Sequence, residues 1–366
     1  MILCWDVRAT EWILKNISMK QKIISWLFLL LFFIVFWYFF GDSYWQFQTA
    51  QKSQEYFQKQ IAQNTAEFSL ESLPLVGEET QLFVTPNLQL LDTLISQMDA
   101  ANEKIYVEVY IFTEKRMREA LIRAHDRGVE VKVLLENNPY QATSLNDDTY
   151  ALLEKAGIDV RWSDPLNYSL NHSKLLIIDD ITYISTGNFS YSLFKNNRDF
   201  LLQLWKWEVS EKLSELFFLD YTHELSWVFQ KNLVISPYNS RQKIEFLLRH
   251  AEKTIDFYFP YIQDTWLENI LFEKSQSWVK IRGIVEEAFY KENTELIKKY
   301  ADKKIVLTPL TSSKLHGKIL VVDEKYMYLG SINFSSYSMD ENREMGIILK
   351  ESSLISQMQK IFSSDL

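Results

Sequence analysis

Asn171-His172-Ser173-Lys174-Leu175-Leu176-Ile177-Ile178-Asp179 is the stretch that decides the fold, because it recurs 144 residues later as Leu315-His316-Gly317-Lys318-Ile319-Leu320-Val321-Val322-Asp323. Both copies read His-x-Lys-x4-Asp. A second block follows each copy: Ile184-Ser185-Thr186-Gly187-Asn188-Phe189-Ser190 in the first, Leu329-Gly330-Ser331-Ile332-Asn333-Phe334-Ser335 in the second. Eleven residues past each Asn stands an acid, within Asn197-Arg198-Asp199 and Asn342-Arg343-Glu344. The order His, Lys, Asp, Asn, acid is therefore written twice.

The apolar runs Leu175 to Ile178 and Ile319 to Val322 read as buried strands, so each His and Lys lies at or near a strand start. Two such hairpins facing each other place both histidines in one cleft. Phosphodiester cleavage needs a nucleophile, an acid for the leaving oxygen, and positive charge around the phosphoryl oxygens. Two imidazoles and two ammonium groups supply all three, since a neutral imidazole attacks phosphorus while a protonated one donates to the alkoxide. This chemistry needs neither a metal nor a cofactor. A solitary His or Lys near a strand end is ordinarily structural; duplication reverses that weighting for the motif residues alone.

On these residues the chain resembles the phospholipase D superfamily, whose members carry paired HKD motifs and include phospholipases, cardiolipin and phosphatidylserine synthases, and nucleases. The resemblance implies a covalent phosphohistidine on one His, with family precedent favouring His172, and a proton carried by the other, His316. It implies that Lys174, Lys318, Asn188 and Asn333 bind phosphate oxygens, with Thr186 and Ser331 as further hydroxyl donors. It also implies that Asp199 orients His316 and Glu344 orients His172. Asp179 and Asp323 complete the motifs and are expected to hold them in shape rather than touch substrate. The first copy departs from the commoner pattern, with Ser-Thr-Gly-Asn for Gly-Ser-Ile-Asn and Asp199 for Glu, which bears on the symmetry of the site rather than its activity.

Working outward, Leu88, Leu91, Leu94, Ile95 and Met98 are spaced for a helix face, residues 104–112 alternate as a strand, residues 114–127 form a second helix, and residues 129–135 a second strand. The second repeat overlays the first without a gap for nearly thirty residues, matching Ala101 with Ala251 and Val129 with Val279. Segments 137–148 and 163–171 read as specificity loops of the first half, with 308–315 taking that place in the second. Leu213, Leu216, Phe217, Tyr221, Leu225 and Val228 predict a core helix over 213–229 joining the halves. Trp278 stands where the first repeat has Gly128 and is expected to pack at a helix end. His125, His223, His250 and the strand residue Glu108 are read as structural. The pairs Lys298-Lys299 and Lys303-Lys304 read as solvated faces compatible with anionic head groups.

Residues 23–40 (IISWLFLLLFFIVFWYFF) carry no charge and are just long enough to cross a hydrocarbon core. Arg8, Lys15, Lys20 and Lys22 precede them, against Lys52 and Lys59 in the twenty residues after, which points the N-terminus inward and leaves the bulk of the chain outside the cytoplasm. The expected organisation is a cytoplasmic tail (1–22), a single transmembrane anchor (23–40), a stalk (41–80), and two phospholipase D-like halves (81–228 and 229–366). The expected fold class is α/β: two similar mixed β-sheets flanked by helices, pseudo-twofold, with the active site at their seam and a monomer sufficient to form it.

The single cysteine, Cys4, rules out a disulfide framework, and the five histidines show no short metal-ligand spacing. Net charge is −9, which weighs against nonspecific nucleic-acid binding, although a local basic groove is compatible with an acidic total. The reading that results is a membrane-anchored phosphodiesterase with a phospholipid substrate. Cardiolipin synthase-type transfer is the first alternative, an endonuclease the second, and a noncatalytic scaffold, disfavoured by intact residues in both halves, the third.

Overall fold

In the first half, Asn87 caps a helix by accepting the Leu90 N–H at 3.0 Å, and Leu90, Leu91, Leu94 and Met98 form the buried face of that helix, Leu88–Ala100. Glu114 starts the next helix, Lys115–Asp126, and Gly128 ends it at φ +92°. The strands these helices cover, in chain order, are β1 (Gln81–Val84), β2 (Lys104–Val109), β3 (Glu130–Leu135), β4 (Asp159–Trp162), β5 (Lys174–Ile178), β6 (Ile181–Ser185), the two-residue β7 (Asn197–Arg198) and β8 (Phe200–Trp205). The second half supplies β9 (Leu233–Ser236), β10 (Thr254–Tyr258), β11 (Ile262–Gln263), β12 (Lys280–Glu286), β13 (Val306–Leu310), β14 (Lys314–Leu315), β15 (Ile319–Val322), β16 (Tyr326–Gly330), β17 (Phe334–Ser335) and β18 (Glu344–Leu349). These ranges come from a computed structural model that describes residues 68–366, apart from 76, 78, 206, 207, 225–227 and 229, together with residue 59.

Each half builds a seven-stranded mixed sheet, in the order β1-β8-β6-β5-β2-β3-β4 in the first and β9-β18-β16-β15-β10-β12-β13 in the second. Term by term the two orders are the same. The strands β2, β3 and β4 in the first sheet and β10, β12 and β13 in the second are parallel neighbours, and the HKD strand (β5, β15) joins them antiparallel through β2 or β10. Its hairpin partner (β6, β16) and β8 or β18 continue the sheet, and β1 or β9 closes the edge. The two hydrophobic cores are separate, one centred on Ile105, Val107 and Leu176 and the other on Ile255, Phe257 and Leu320.

The structure departs from the sequence reading at four places. The strand expected over 104–112 stops at Val109, one residue short of the last in-register bond to β5, from the Tyr110 N–H to the Ser173 carbonyl at 3.1 Å. The helix expected over 213–229 runs instead over Glu208–Thr222; His223 sits at φ +60°, where a helix cannot continue. Trp278 is not packed. It holds φ +67° with 86% of its surface exposed, and the Lys304 ammonium lies over its ring. Within the expected stalk, Phe68, Leu70 and Leu73 are buried in the second core, Phe68 edge-on to Phe246, so the folded unit begins before residue 81. The expected anchor, residues 23–40, lies outside the described residues, as does residue 225. Among the described residues no helix is long and apolar enough to cross a membrane.

Candidate active site

Alternate residues of a strand share a face, so His172 and Lys174 at the head of β5 point the same way, as do His316 and Lys318 at β15. What draws the two heads together is backbone pairing across the halves. The His172 N–H bonds to the Arg343 carbonyl at 2.8 Å, and the His316 and Gly317 N–H groups bond to the Arg198 carbonyl at 3.1 and 2.8 Å. β14 and β7 pair in parallel, and Asn171 bridges Arg343 in the matching place. Each approach to a histidine is thus paired with the segment that carries the other half's acid.

The acids complete this crossing. Glu344 accepts from His172 Nδ1 at 2.8 Å, and Asp199 lies 3.0 and 3.2 Å from His316 Nδ1. Both carboxylates are fully buried. Burial works to raise the Glu344 carboxyl, but His172 and Lys174 outweigh it and hold it below the usual range; His316, Lys318 and Thr186 do the same for Asp199. Burial pushes His172 down to about 4, against the pull of Glu344, and lowers His316 as well. At His172 the resting arrangement is an ionised acid receiving Nδ1–H from a neutral imidazole, which leaves Nε2 with a lone pair.

Lys174 donates to the His172 carbonyl at 2.6 Å, and Lys318 reaches the His316 carbonyl, both His316 ring nitrogens at 3.1 Å, and the Thr186 carbonyl of the other half at 3.1 Å. Each lysine acts electrostatically on both histidines or on the opposite acid, so the four groups share one field. Burial carries Lys174 well below its ordinary value and Lys318 down to about 8. An arriving phosphodiester anion favours the charged form of each ammonium. Among the described residues no group of three His, Cys, Asp or Glu side chains is arranged to hold a metal ion.

Of the remaining expected residues, Asn188 and Asn333 lie just past the hairpin strands β6 and β16, and the Asn188 side-chain oxygen is buried without a partner. Thr186 and Ser331 do not serve as free donors. Thr186 Oγ1 gives its proton to Asp199 at 2.7 Å and accepts the Phe200 N–H, while Ser331 Oγ exchanges bonds with the Met345 backbone. Their hydroxyls hold the acids and the acid-bearing strands. Asp179 and Asp323 stand at the other end of the HKD strands, roughly 20 Å from the histidines at ~3.3 Å per residue. Each accepts three successive N–H groups at 2.7 to 2.9 Å, Asp179 from Asn102, Glu103 and Lys104, and Asp323 from Glu252, Lys253 and Thr254.

Three residues at the site carry no motif signal. Tyr110 presents its ring to His172 at 4.7 Å between centroids, with Lys174 over its face, and burial raises it to about 12, as burial does Tyr261. Tyr110 is the first residue beyond β2, the strand paired with β5, and that position was the only pointer to it. Glu136 accepts the Asn171 N–H at 2.6 Å, the Ser163 hydroxyl at 2.8 Å and the Asn138 N–H at 2.9 Å, joining both expected specificity loops to the motif. Glu108 is fully buried, its carboxyl raised well above the usual range chiefly by burial and by Asp220, and it accepts from the Asn171 side chain.

Residues 94–220 and 244–366 match the profile of the family described as cardiolipin synthase, PLD-like domain. The chain belongs to this phospholipase D-like family. As a member it is an enzyme of the phosphodiesterase and transphosphatidylase class. It is similar to a cardiolipin synthase of Listeria innocua, at 23% identity over 79% of this chain and 69% of that protein. A shorter match, at 32% identity over 31% of this chain and 49% of the relative, is to the mitochondrial cardiolipin hydrolase of Mus musculus. The fold is shared with a phosphatidylserine synthase of Haemophilus influenzae, with a TM-score of 0.65 at 14% identity over 83% of this chain and 89% of that one.

Proposed function

We propose that this phospholipase D-like enzyme moves the phosphatidyl group of a phospholipid from its head-group alcohol to a second alcohol, through a phosphohistidine on His172. The observation that carries the reading is the crossed pair of contacts, His172 to Glu344 and His316 to Asp199, which prepares two imidazoles at Nε2 within one buried cationic field. His172, the one burial lowers to about 4, is neutral at working pH and is the nucleophile. Its Nε2 attacks phosphorus, the bond from phosphorus to the head-group oxygen breaks, and protonated His316 gives its Nε2 proton to that oxygen. His316, now neutral, takes the proton of the incoming alcohol as its oxygen attacks phosphorus, and the P–N bond to His172 breaks. Lys174, Lys318, Asn188 and Asn333 hold the phosphoryl oxygens as charge builds on them.

Transfer is placed first because the match that spans most of the chain is to a cardiolipin synthase. Hydrolysis, with water as the second acceptor, is the second reading, motivated by the shorter likeness to a hydrolase. The full-length chain, with His172→Ala and His316→Ala as controls, is incubated with phosphatidylglycerol vesicles and with DNA, and products are read by mass spectrometry. Cardiolipin plus glycerol, absent in both controls, is the expected result. Phosphatidic acid in its place selects hydrolysis, and intact lipid beside cut DNA overturns the lipid reading. In the same proposal residues 23–40 tether the enzyme with its catalytic halves outside the cytoplasm; digestion of the halves by protease added to intact cells lacking an outer membrane is expected, and protection overturns that orientation.

A further inference from the structure

Immediately before each catalytic acid stands an arginine, Arg198 before Asp199 and Arg343 before Glu344. Each has its carbonyl taken by the N–H of the other half's histidine, as described above. Their guanidinium groups cross the seam as well. Arg343 makes a two-pronged pair with Asp220 at 2.7 and 2.6 Å, and Arg198 reaches Asp365 at 2.9 Å. Asp220 and Asp365 are equivalent in the repeat, each near the end of the last helix of its half, Glu208–Thr222 and Ser352–Asp365. Even the spare donors match, Arg198 bonding the Thr85 carbonyl at 3.0 Å and Arg343 the Ser236 carbonyl at 3.4 Å.

Both arginines are therefore gripped twice by the opposite half, by a histidine N–H at the carbonyl and by an aspartate at the guanidinium, while the next side chain holds that half's imidazole. We infer that Arg343–Asp220 and Arg198–Asp365 are paired cross-seam latches, and that these four are positioning residues which set each acid against the opposite histidine. At Arg343 a fork of two parallel hydrogen bonds fixes direction as well as distance, which a lysine in the same place does not supply; Arg198 holds Asp365 by one.

The two latches are not equal. Arg343 and Asp220 are 1% and 2% exposed, with the guanidinium 4.8 and 5.0 Å from the rings of Tyr168 and Tyr238, whose hydroxyls bond each other at 2.8 Å. Arg198 and Asp365 are 17% and 6% exposed, and Tyr258 alone adds a hydroxyl, at 2.8 Å to Asp365. The closed latch serves the nucleophile His172, which must not move, and the more open one serves His316, which acts on two different alcohols in turn.

The inference rests on the roles proposed for the two histidines, so the test separates the two. First-turnover rates of the full-length chain are measured on phosphatidylglycerol vesicles, whose alkoxide needs a proton to leave, and on bis(p-nitrophenyl) phosphate, whose nitrophenolate does not. Loosening the His316 latch with Asp365→Asn is expected to slow the lipid about 10-fold or more while changing nitrophenolate release by less than about twofold, since misplacing an acid costs only where a proton is needed. Asp365→Glu recovers most of the lipid rate. Asp220→Asn slows both substrates, because the nucleophile is needed whatever leaves; if that variant does not fold, the Asp365→Asn arm decides alone. His316→Ala must show the same split as Asp365→Asn; equal slowing of both substrates by His316→Ala overturns the role assignment. A split in His316→Ala that Asp365→Asn does not reproduce overturns the latch.

Discussion

Each imidazole proposed as catalytic is held by one carboxylate, so the sharpest prediction is at Glu344. Glu344→Gln keeps the shape but removes the charge that fixes the Nδ1–H tautomer of His172, and a loss of about 100-fold or more in kcat is expected, with the fold intact by circular dichroism. Retained activity dismisses His172 as nucleophile. The same residues set a pH profile. Attack requires neutral His172, lowered by burial to about 4, while protonation of the leaving group requires charged His316, also lowered from the ordinary 6.5. The kcat/KM of the free enzyme is therefore expected to rise near pH 4 and to turn down below 6.5. A profile still rising above 7 contradicts these assignments.

At the scale of elements, the HKD strands are held at their far ends by Asp179 and Asp323, at φ +47° and +55°, each closing three N–H groups. Asp179→Ala leaves those donors without their partner and is expected to cost about 1–3 kcal/mol of stability, seen as a lower melting temperature, with KM unchanged because the site is roughly 20 Å away. A selective loss of catalysis without loss of stability moves Asp179 into the site. The helix end at Trp278 predicts the opposite sign. There a large side chain occupies a left-handed residue that Gly128 occupies in the first half, so Trp278→Gly is expected to stabilise by up to about 1 kcal/mol, measured by urea unfolding. Destabilisation instead assigns the exposed ring a contact of its own.

Over the whole molecule the two halves are joined by ionised acids bonded to histidines that burial lowers, and this makes stability depend on pH. His172 is depressed in the folded state, so its contribution is fully present above about 6.5 and is lost as pH falls toward 4; the depressed Glu344 and Asp199 add their own loss at lower pH. Melting temperature is expected to fall between pH 6.5 and 4, and His172→Phe to flatten the upper part of that fall. The sequence by itself determined the duplication, the α/β alternation and the identity of the motif residues, because a strand's period of two and a repeat's spacing are local properties of the chain. It misjudged what needs distant partners: the end of the helix at Thr222, the packing of Phe68, Leu70 and Leu73, the exposure of Trp278, and the Thr186 and Ser331 hydroxyls. Only the tertiary structure decided that Tyr110 meets His172 and that Arg198 and Arg343 clasp the opposite half. Those contacts join residues up to 167 positions apart, and their geometry follows from how the halves meet.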